Sequence, residues 1–212
     1  MVRPSGFATI VLASIVLTAC GGEERRVSDS APASPEAPRP SAPERPATLS
    51  LDDFGLEEAD FLIIMNEDAV SELIRPERSR VVAVDGAPLP ALAISGVATD
   101  ATSAGRTGGV AIKVPDAVEA AAPGKAVKVS AVARASAAPA SLGLAYSTNE
   151  MGNSGWTIRT LSDEFALYEM IWAVPKGETK AGDFIGLKPA PAAEIAAVAV
   201  SVVERPEPGR AR

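Results

Sequence analysis

Short apolar runs, many of them alternating with polar residues, are separated along most of the chain by Gly, Pro, Ser, Asn and Asp. The alternation is clearest in AVKVSAVARA at 126–135 and in FALYEMIWAVP at 165–175. A period of two is typical of a strand that buries one face, and many short strands between turn residues are typical of a sandwich. The sequence therefore predicts an all-β domain, a sandwich of antiparallel strands.

The predicted strands are short and rich in β-branched residues. They lie at 60–65, 80–84, 91–95, 109–114, 126–135, 141–146, 156–161, 166–174, 183–187 and 193–203. Helical spacing competes only at 66–74 (NEDAVSELI), where Asn66 stands in the position of an N-cap. A short turn of helix is also predicted at 115–122.

The N-terminus has the three parts of a secretory signal: a basic residue, Arg3, an apolar run at 7–17, and small residues after it. The run is much shorter than the roughly 20 residues that a membrane-spanning helix needs. The tetrapeptide Leu-Thr-Ala-Cys at 17–20 resembles the lipobox of bacterial lipoproteins. That resemblance implies removal of a signal peptide at 1–19 and attachment of acyl chains, such as palmitate, to Cys20. An ordinary signal peptide followed by an unrelated cysteine is the alternative.

The lipobox also bears on location and domain organisation. Several acyl chains on one cysteine hold a protein stably at a membrane, so the membrane is a predicted partner. Gly21 after Cys20 resembles the default signal for the outer membrane of Gram-negative bacteria, which predicts an outer-membrane lipoprotein of the cell envelope. Residues 20–48 form a linker rich in Pro, Ala and Glu that lacks the apolar surface needed to fold. This N-terminal segment and a tail at 205–212 are predicted to be disordered, with the sandwich domain at 49–204.

The charge and the residue counts exclude several classes of function. The chain has 20 Lys and Arg residues against 27 Asp and Glu, a formal net charge of −7, and no histidine. Nucleic acid is not a predicted partner, because its binding needs concentrated Lys and Arg. Catalysis by Ser-His-Asp or Cys-His and metal sites with His ligands are excluded. The composition therefore predicts a protein that is not an enzyme and has no cofactor.

The second half of the chain shows an ordered series of motifs. A Gly-Lys turn at 124–125 leads into VKVSAVARA, followed by SLGLAYST, NEMGNSGWTIRTL, FALYEMIWAVP and AAEIAAVAVSVVE. This order resembles the C-terminal half of jelly-roll carbohydrate-binding modules and galactose-binding-like domains. The resemblance implies a jelly-roll β-sandwich with a glycan as ligand. The acid that often supports a Ca²⁺ site in the last strand of that family has no counterpart at 195–198.

The candidate ligand-binding residues follow from this resemblance, because such modules use exposed aromatic rings and polar side chains. Trp156 follows a Gly-Asn-Ser-Gly loop and Tyr146 ends an apolar strand, so both rings are predicted at the edge of the sandwich. Their predicted polar companions are Asn149, Asn153, Ser154 and Arg159. A plug over the end of the sandwich is the alternative for Trp156. Trp172 and Tyr168 share a strand face with Met170 and are predicted to lie in the core.

Other candidate sites are weaker. Asp53, Asp85 and Asp183 carry oxygens that suit Ca²⁺, but scattered carboxylates are usually solvated, so no metal site is predicted. The acid pairs at 57–58 and 163–164 are predicted to be surface residues rather than a glycosidase pair. The Gly-rich segment 103–109 is predicted to be a hairpin loop, with an anion-binding nest as the alternative.

The sequence thus predicts a non-catalytic, membrane-anchored lipoprotein whose sandwich binds an envelope or extracellular glycan. The alternative is a structural envelope lipoprotein that contacts another protein through a sheet face or the linker. An enzyme that relies on carboxylates, Tyr or Lys is a third hypothesis.

Overall fold

A computed structural model of the chain describes residues 49–84, 88–97, 109–148, 151–178 and 182–205. Within these ranges, eleven strands form two antiparallel sheets, accompanied by one short α-helix. The strands are β1 (Phe61–Ile64), β2 (Leu73–Ile74), β3 (Arg80–Val84), β4 (Ala91–Ser95), β5 (Val110–Lys113), β6 (Ala126–Ala135), β7 (Ser141–Ser147), β8 (Thr157–Thr160), β9 (Ala166–Ala173), β10 (Phe184–Ala190) and β11 (Ala192–Val203). The helix is α1 (Asp116–Ala121), and two 3₁₀ helices span Leu51–Phe54 and Asp68–Glu72.

The six-stranded sheet, called sheet A here, has the order β3-β4-β11-β6-β9 in the described part of the chain. Strand β11 is its centre and pairs with β6 over nearly its whole length. On its other side, β11 pairs first with β4 and then with β1. The register shifts between Ile195 and Ala197, as a β-bulge does. One long apolar strand thus pairs with three neighbours in one sheet.

The five-stranded sheet, called sheet B, has the order β2-β5-β10-β7-β8 among the described residues. Alternate residues of the two sheets meet in the core, for example Val127 and Val129 of β6 with Leu142 and Leu144 of β7. Full burial of each such side chain contributes about 1.5–3 kcal/mol. The predicted jelly-roll β-sandwich is therefore confirmed. Trp172 and Tyr168 pack against this core, as predicted.

A second, smaller apolar cluster lies on the outer face of sheet A. Residues 49–59 cross this face and bury Leu56 against Val132, Ala197 and Ala199. The crossing segment begins with the first 3₁₀ helix, where Ser50 and Asp53 form a capping box. The outer face of sheet A is therefore partly covered by the chain itself.

The helical spacing that competes at 66–74 does not give an α-helix. Only Asp68–Glu72 turns, as a 3₁₀ helix, and the next two residues form β2. Asn66 does act as a cap, because its side-chain oxygen accepts from the backbone N–H of Ala69 at 3.2 Å. Pairing of Leu73 with Ile112 of β5 extends the chain here, so tertiary contacts override the local spacing. The short helix predicted at 115–122 is present as α1.

No helix in the described part of the chain is long and apolar enough to span a membrane. The predicted signal peptide, Cys20 and the linker lie outside the described residues, as does the tail after Arg205. Asp85 and most of the Gly-rich segment 103–109 also lie outside them.

Candidate functional site

The outer face of sheet B carries a row of neighbouring side chains from three strands. Gly143 of β7 pairs with Lys188 of β10 on one side and with Ile158 of β8 on the other. Leu142 and Leu144, the neighbours of Gly143 in the chain, point into the core. Because successive residues of a strand face opposite sides, the row at Gly143 faces outward.

Trp156 is held over this row by the loop that precedes β8. The loop is bonded to the end of β7, where Ser154 N donates to Tyr146 O at 2.9 Å. Ser154 Oγ also accepts from Tyr146 N at 2.9 Å. A Cβ built on Gly143 would lie 3.1 Å from Cε3 of Trp156, so the indole rests on the bare backbone of this glycine.

Lys188 and Ile158 complete the cluster. The Lys188 Nζ lies 4.5 Å from the centroid of the Trp156 ring, within the range of a cation–π interaction. The Ile158 side chain is 53% exposed. Trp156, Lys188 and Ile158, seated on Gly143, are called the tryptophan cluster below. It combines a half-buried aromatic ring, a cation and an exposed aliphatic side chain.

Ser154 and Asn153 lie close to Trp156, but some of their polar groups already form hydrogen bonds within the protein. Ser154 Oγ donates to Gly155 O at 2.7 Å, besides its bond from Tyr146 N. Asn153 is exposed, and its Oδ1 accepts from Gly155 N at 2.9 Å. These two residues therefore shape the loop that carries Trp156. Asn149 lies outside the described residues.

Arg159 does not lie beside Trp156, contrary to the expectation. It pairs with Leu142, whose side chain is in the core, so Arg159 and Ile158 project from opposite faces of β8. Arg159 Nε and Nη2 donate to the Glu169 carbonyl of β9 at 3.3 and 2.9 Å. Arg159 thereby ties the edge of sheet B to the edge of sheet A.

The predicted position of Tyr146 at the sheet edge is wrong. Its side chain is fully buried, with its ring 6.1 Å from that of Trp172. The Tyr146 hydroxyl donates to Asp183 Oδ2 at 2.7 Å. Tyr146 is therefore closed to a ligand and belongs to a buried polar contact. The alternation of 141–146 already placed Tyr146 on the same face as Leu142 and Leu144, which was the available signal.

Asp183 is buried as well, although the sequence predicts a solvated carboxylate. Burial raises its pKa to about 6, and the nearby Glu119 carboxylate adds to that rise, while the bond from Tyr146 opposes it. Burial also raises the pKa of Tyr146 well above its usual value, as does its bond to Asp183. Asp183 Oδ1 has no hydrogen-bond partner among the described residues. Desolvation is thus the dominant influence on the pKa of Asp183.

The remaining candidate acids do not form a metal-binding group in the described ranges. The pairs at 57–58 and 163–164 are exposed, as predicted, and so is Asp53. No group of three Asp, Glu or Cys side chains there converges so that it could hold a metal ion. The tryptophan cluster is therefore the candidate binding site that the geometry supports.

The sequence patterns did not predict Lys188 and Gly143 as residues of the site. The predicted strand ended at 187, although Phe184, Gly186 and Lys188 continue the alternation opposite Ile185 and Leu187. That alternation was enough to place Lys188 on the outer face. The pairing of Lys188 with Gly143 depends on the register of two strands that are distant in the chain, which no local pattern reveals.

Comparisons with known proteins identify a similar fold but no sequence family. No protein-family model matches the chain, and no curated protein sequence matches it. Among solved structures, it is similar to the CBM22-1 xylan-binding domain of Paenibacillus barcinonensis Xyn10C, with a TM-score of 0.50 and 13% identity over 69% of this chain and 95% of that domain. It is also similar to the CBM22-1-CBM22-2 tandem domain of that protein, with a TM-score of 0.50, 16% identity and 71% of this chain covered.

The chain spans about half of that tandem domain, 47% of its length. At these identities the likeness concerns the fold. The described domain therefore has the jelly-roll fold of a carbohydrate-binding module.

Proposed function

We propose that the protein is a non-catalytic glycan-binding lipoprotein and that the tryptophan cluster is its glycan contact. The observation that carries the proposal is the placement of Trp156 on the outer face of sheet B, in a domain with the fold of a carbohydrate-binding module. Stacking of a sugar ring on an aromatic side chain buries apolar C–H groups, while neighbouring polar groups bind the hydroxyls.

Lys188 supplies such a polar group. Its ammonium is a donor of up to three hydrogen bonds next to the ring, on a flexible stem that allows it to follow a ligand. Ile158 widens the apolar surface at the edge strand. The cluster therefore suits one sugar ring on the indole, with a hydroxyl or carboxylate facing Lys188.

Binding of the purified full chain to immobilised polysaccharides and to a glycan array tests this proposal. Trp156→Ala is expected to lower the retained fraction about tenfold or more, because it removes the stacking surface. Val82→Ala is the matched control, since Val82 is an exposed apolar residue of the other sheet, 43% accessible. Equal binding by both variants, or no binding by the unchanged chain, contradicts the proposal.

The membrane anchor is a second part of the proposal. The lipobox-like tetrapeptide at 17–20 supports acylation of Cys20 and location in the outer membrane of the cell envelope. In the native host, Cys20→Ser is expected to lose metabolic labelling by palmitate and to leave the membrane fraction. Retention of the label or of the membrane association by Cys20→Ser would contradict lipidation at this position.

A protein-contact function has an observation of its own. Leu167 and Ile171 lie on the same face of β9 and are 37% and 57% exposed. Crosslinking in native membranes separates the two functions. A stoichiometric protein partner that is lost in Ile171→Glu and kept in Trp156→Ala favours the protein contact.

A further inference from the structure

A polar cavity of about 360 Å³ lies on the outer face of sheet A, on the other sheet from the tryptophan cluster. Its floor is formed by Lys128 and Ser130 of β6 and Ser201 of β11. Its wall is formed by Gly55, Leu56, Glu58, Ala59 and Asp60. Small-molecule sites usually measure about 300–1,000 Å³, so this cavity has room for a ligand at the small end of that range.

The polar groups of the cavity are held in place by bonds within the protein. Asp60 Oδ2 accepts from the backbone N–H of Val202 at 2.7 Å, which fixes the carboxylate at the wall. On the floor, Glu169 Oε1 accepts from Ser130 Oγ at 3.0 Å and pairs with Lys128 Nζ at 3.2 Å. A ligand therefore meets groups that need little further ordering, which lowers the entropic cost of binding.

The charge of the cavity selects among ligands. Glu58 and Asp60 line the cavity together with one cationic residue, Lys128, and Lys128 pairs with a third carboxylate, that of Glu169. An anionic ligand is therefore disfavoured by like charge. The described acids also do not converge in a group of three that could hold a metal ion. To use all of these groups, a neutral ligand must both donate to carboxylates and accept from the ammonium.

Vicinal hydroxyl groups meet that requirement, because each one donates and accepts a hydrogen bond. An apolar contact lies beside the floor: Ile171 pairs with Lys128 across the β6–β9 ladder, so the two side chains share a face of the sheet. Ile171 is mostly exposed and is free to cover the C–H face of a ring. Hydroxyl-binding groups next to an aliphatic side chain suit a pyranose.

We propose that this cavity is a second saccharide site, which takes one neutral pyranose unit. It is independent of the tryptophan cluster, because its residues come from sheet A and from the segment that crosses sheet A. Two sites on opposite sheets would let one domain bind two segments of a glycan.

Methyl-group NMR of the purified full chain tests the site directly. The probes are the methyl glycosides of glucose, galactose, mannose and xylose, with glucuronate as the anionic probe. Saturable shifts of the Leu56 and Val203 methyl groups with at least one neutral glycoside, and weaker shifts with glucuronate, are expected. These shifts should persist in Trp156→Ala, which separates this site from the tryptophan cluster. No saturable shift with any neutral glycoside, or equal binding of glucuronate, overturns the proposal.

Two variants locate the binding within the cavity. Ser201→Leu fills it and is expected to weaken binding about tenfold or more, a change of about 1.4 kcal/mol. Ser141→Leu, the same change on a strand of sheet B, is the control. Loss of the dispersed Trp156 indole resonance would show that Ser201→Leu fails to fold. In that case the affinity of Lys128→Ala is measured instead. Unchanged affinity in a folded cavity variant overturns the proposal.

Discussion

The hydroxyl of Tyr146 donates a 2.7 Å hydrogen bond to Oδ2 of Asp183, and both residues are buried beneath one end of sheet B. No described residue bonds the other carboxylate oxygen, Oδ1. A buried polar atom without a partner costs about 1–3 kcal/mol, so this contact is a point where the fold is sensitive to small chemical changes.

Removal of the Tyr146 hydroxyl should destabilise the protein. Tyr146→Phe leaves Asp183 without its side-chain donor, and the expected loss is about 1–3 kcal/mol in the free energy of unfolding. Tyr168→Phe is the matched control, because the Tyr168 hydroxyl bonds the exposed Ser162. We expect a loss below about 1 kcal/mol there. Urea denaturation followed by tryptophan fluorescence measures both, and equal losses would contradict the role of the buried pair.

Asp183 should make stability depend on pH between about 4 and 6. The folded pKa of Asp183 is raised from 3.8 to about 6, so the folded protein binds this proton more tightly than the unfolded chain does. Protonation therefore adds stability below about pH 4, and this contribution is lost as the pH rises through 6. The full difference is on the order of 3 kcal/mol.

Asp183→Asn should remove that dependence. Relative to the unchanged protein, the variant is expected to gain stability from pH 4 to pH 7, because an amide has no charge to desolvate. Denaturation curves at pH 4, 5, 6 and 7 measure the gain. Asp116→Asn, at a carboxylate that is 88% exposed, serves as the control and should run parallel to the unchanged protein. Parallel curves for Asp183→Asn would contradict the raised pKa.

Substitutions at two glycines with the same φ angle distinguish the cost of backbone strain from the cost of a steric clash. Gly109 and Gly155 both have φ of 68°. A Cβ on Gly109 would lie 2.5 Å from Leu187 O, whereas a Cβ on Gly155 meets nothing within 4 Å. Gly155→Ala is expected to lower the free energy of unfolding by about 1 kcal/mol, because Ala disfavours the left-handed conformation. Gly109→Ala is expected to lower it by at least about 2 kcal/mol more, because the clash is added. Thermal and chemical denaturation compare them, and equal costs would show that the neighbours of Gly109 yield.

Gly143 should control the position of Trp156. A Cβ there would lie 3.0 Å from Ile158 Cδ1, 3.1 Å from Trp156 Cε3 and 3.3 Å from Lys188 Cβ. Gly143→Ala is therefore expected to displace the indole and to weaken glycan binding at the tryptophan cluster. The indole N–H resonance of Trp156 reports the displacement, with that of Trp172 in the core as an internal reference. An unchanged Trp156 resonance would mean that the cluster adapts to the methyl group.

The strands were predictable because their signal is local. Alternation with a period of two reports which face of a strand is buried, whatever the strand pairs with. All ten predicted strands are present. Their number and spacing predicted a sandwich, and the resemblance of the motif order after Gly124 to carbohydrate-binding modules implied the jelly roll. The same alternation predicted correctly that Trp172 and Tyr168 face the core, against which both pack as partly buried side chains.

The partners of those strands were decided by the tertiary structure. Lys188 reaches Trp156 only because β10 pairs with β7 in one register, and Arg159 turns away only because β8 places it opposite Leu142. Burial of Asp183 depends on Tyr146, which is 37 positions away in the chain. These contacts join segments that are distant in sequence, so no local pattern contains them. The alternation within each strand by itself determined which strand residues face inward. The packing of two sheets determined which of them meet, and it also buried Asp183, which no alternation predicted.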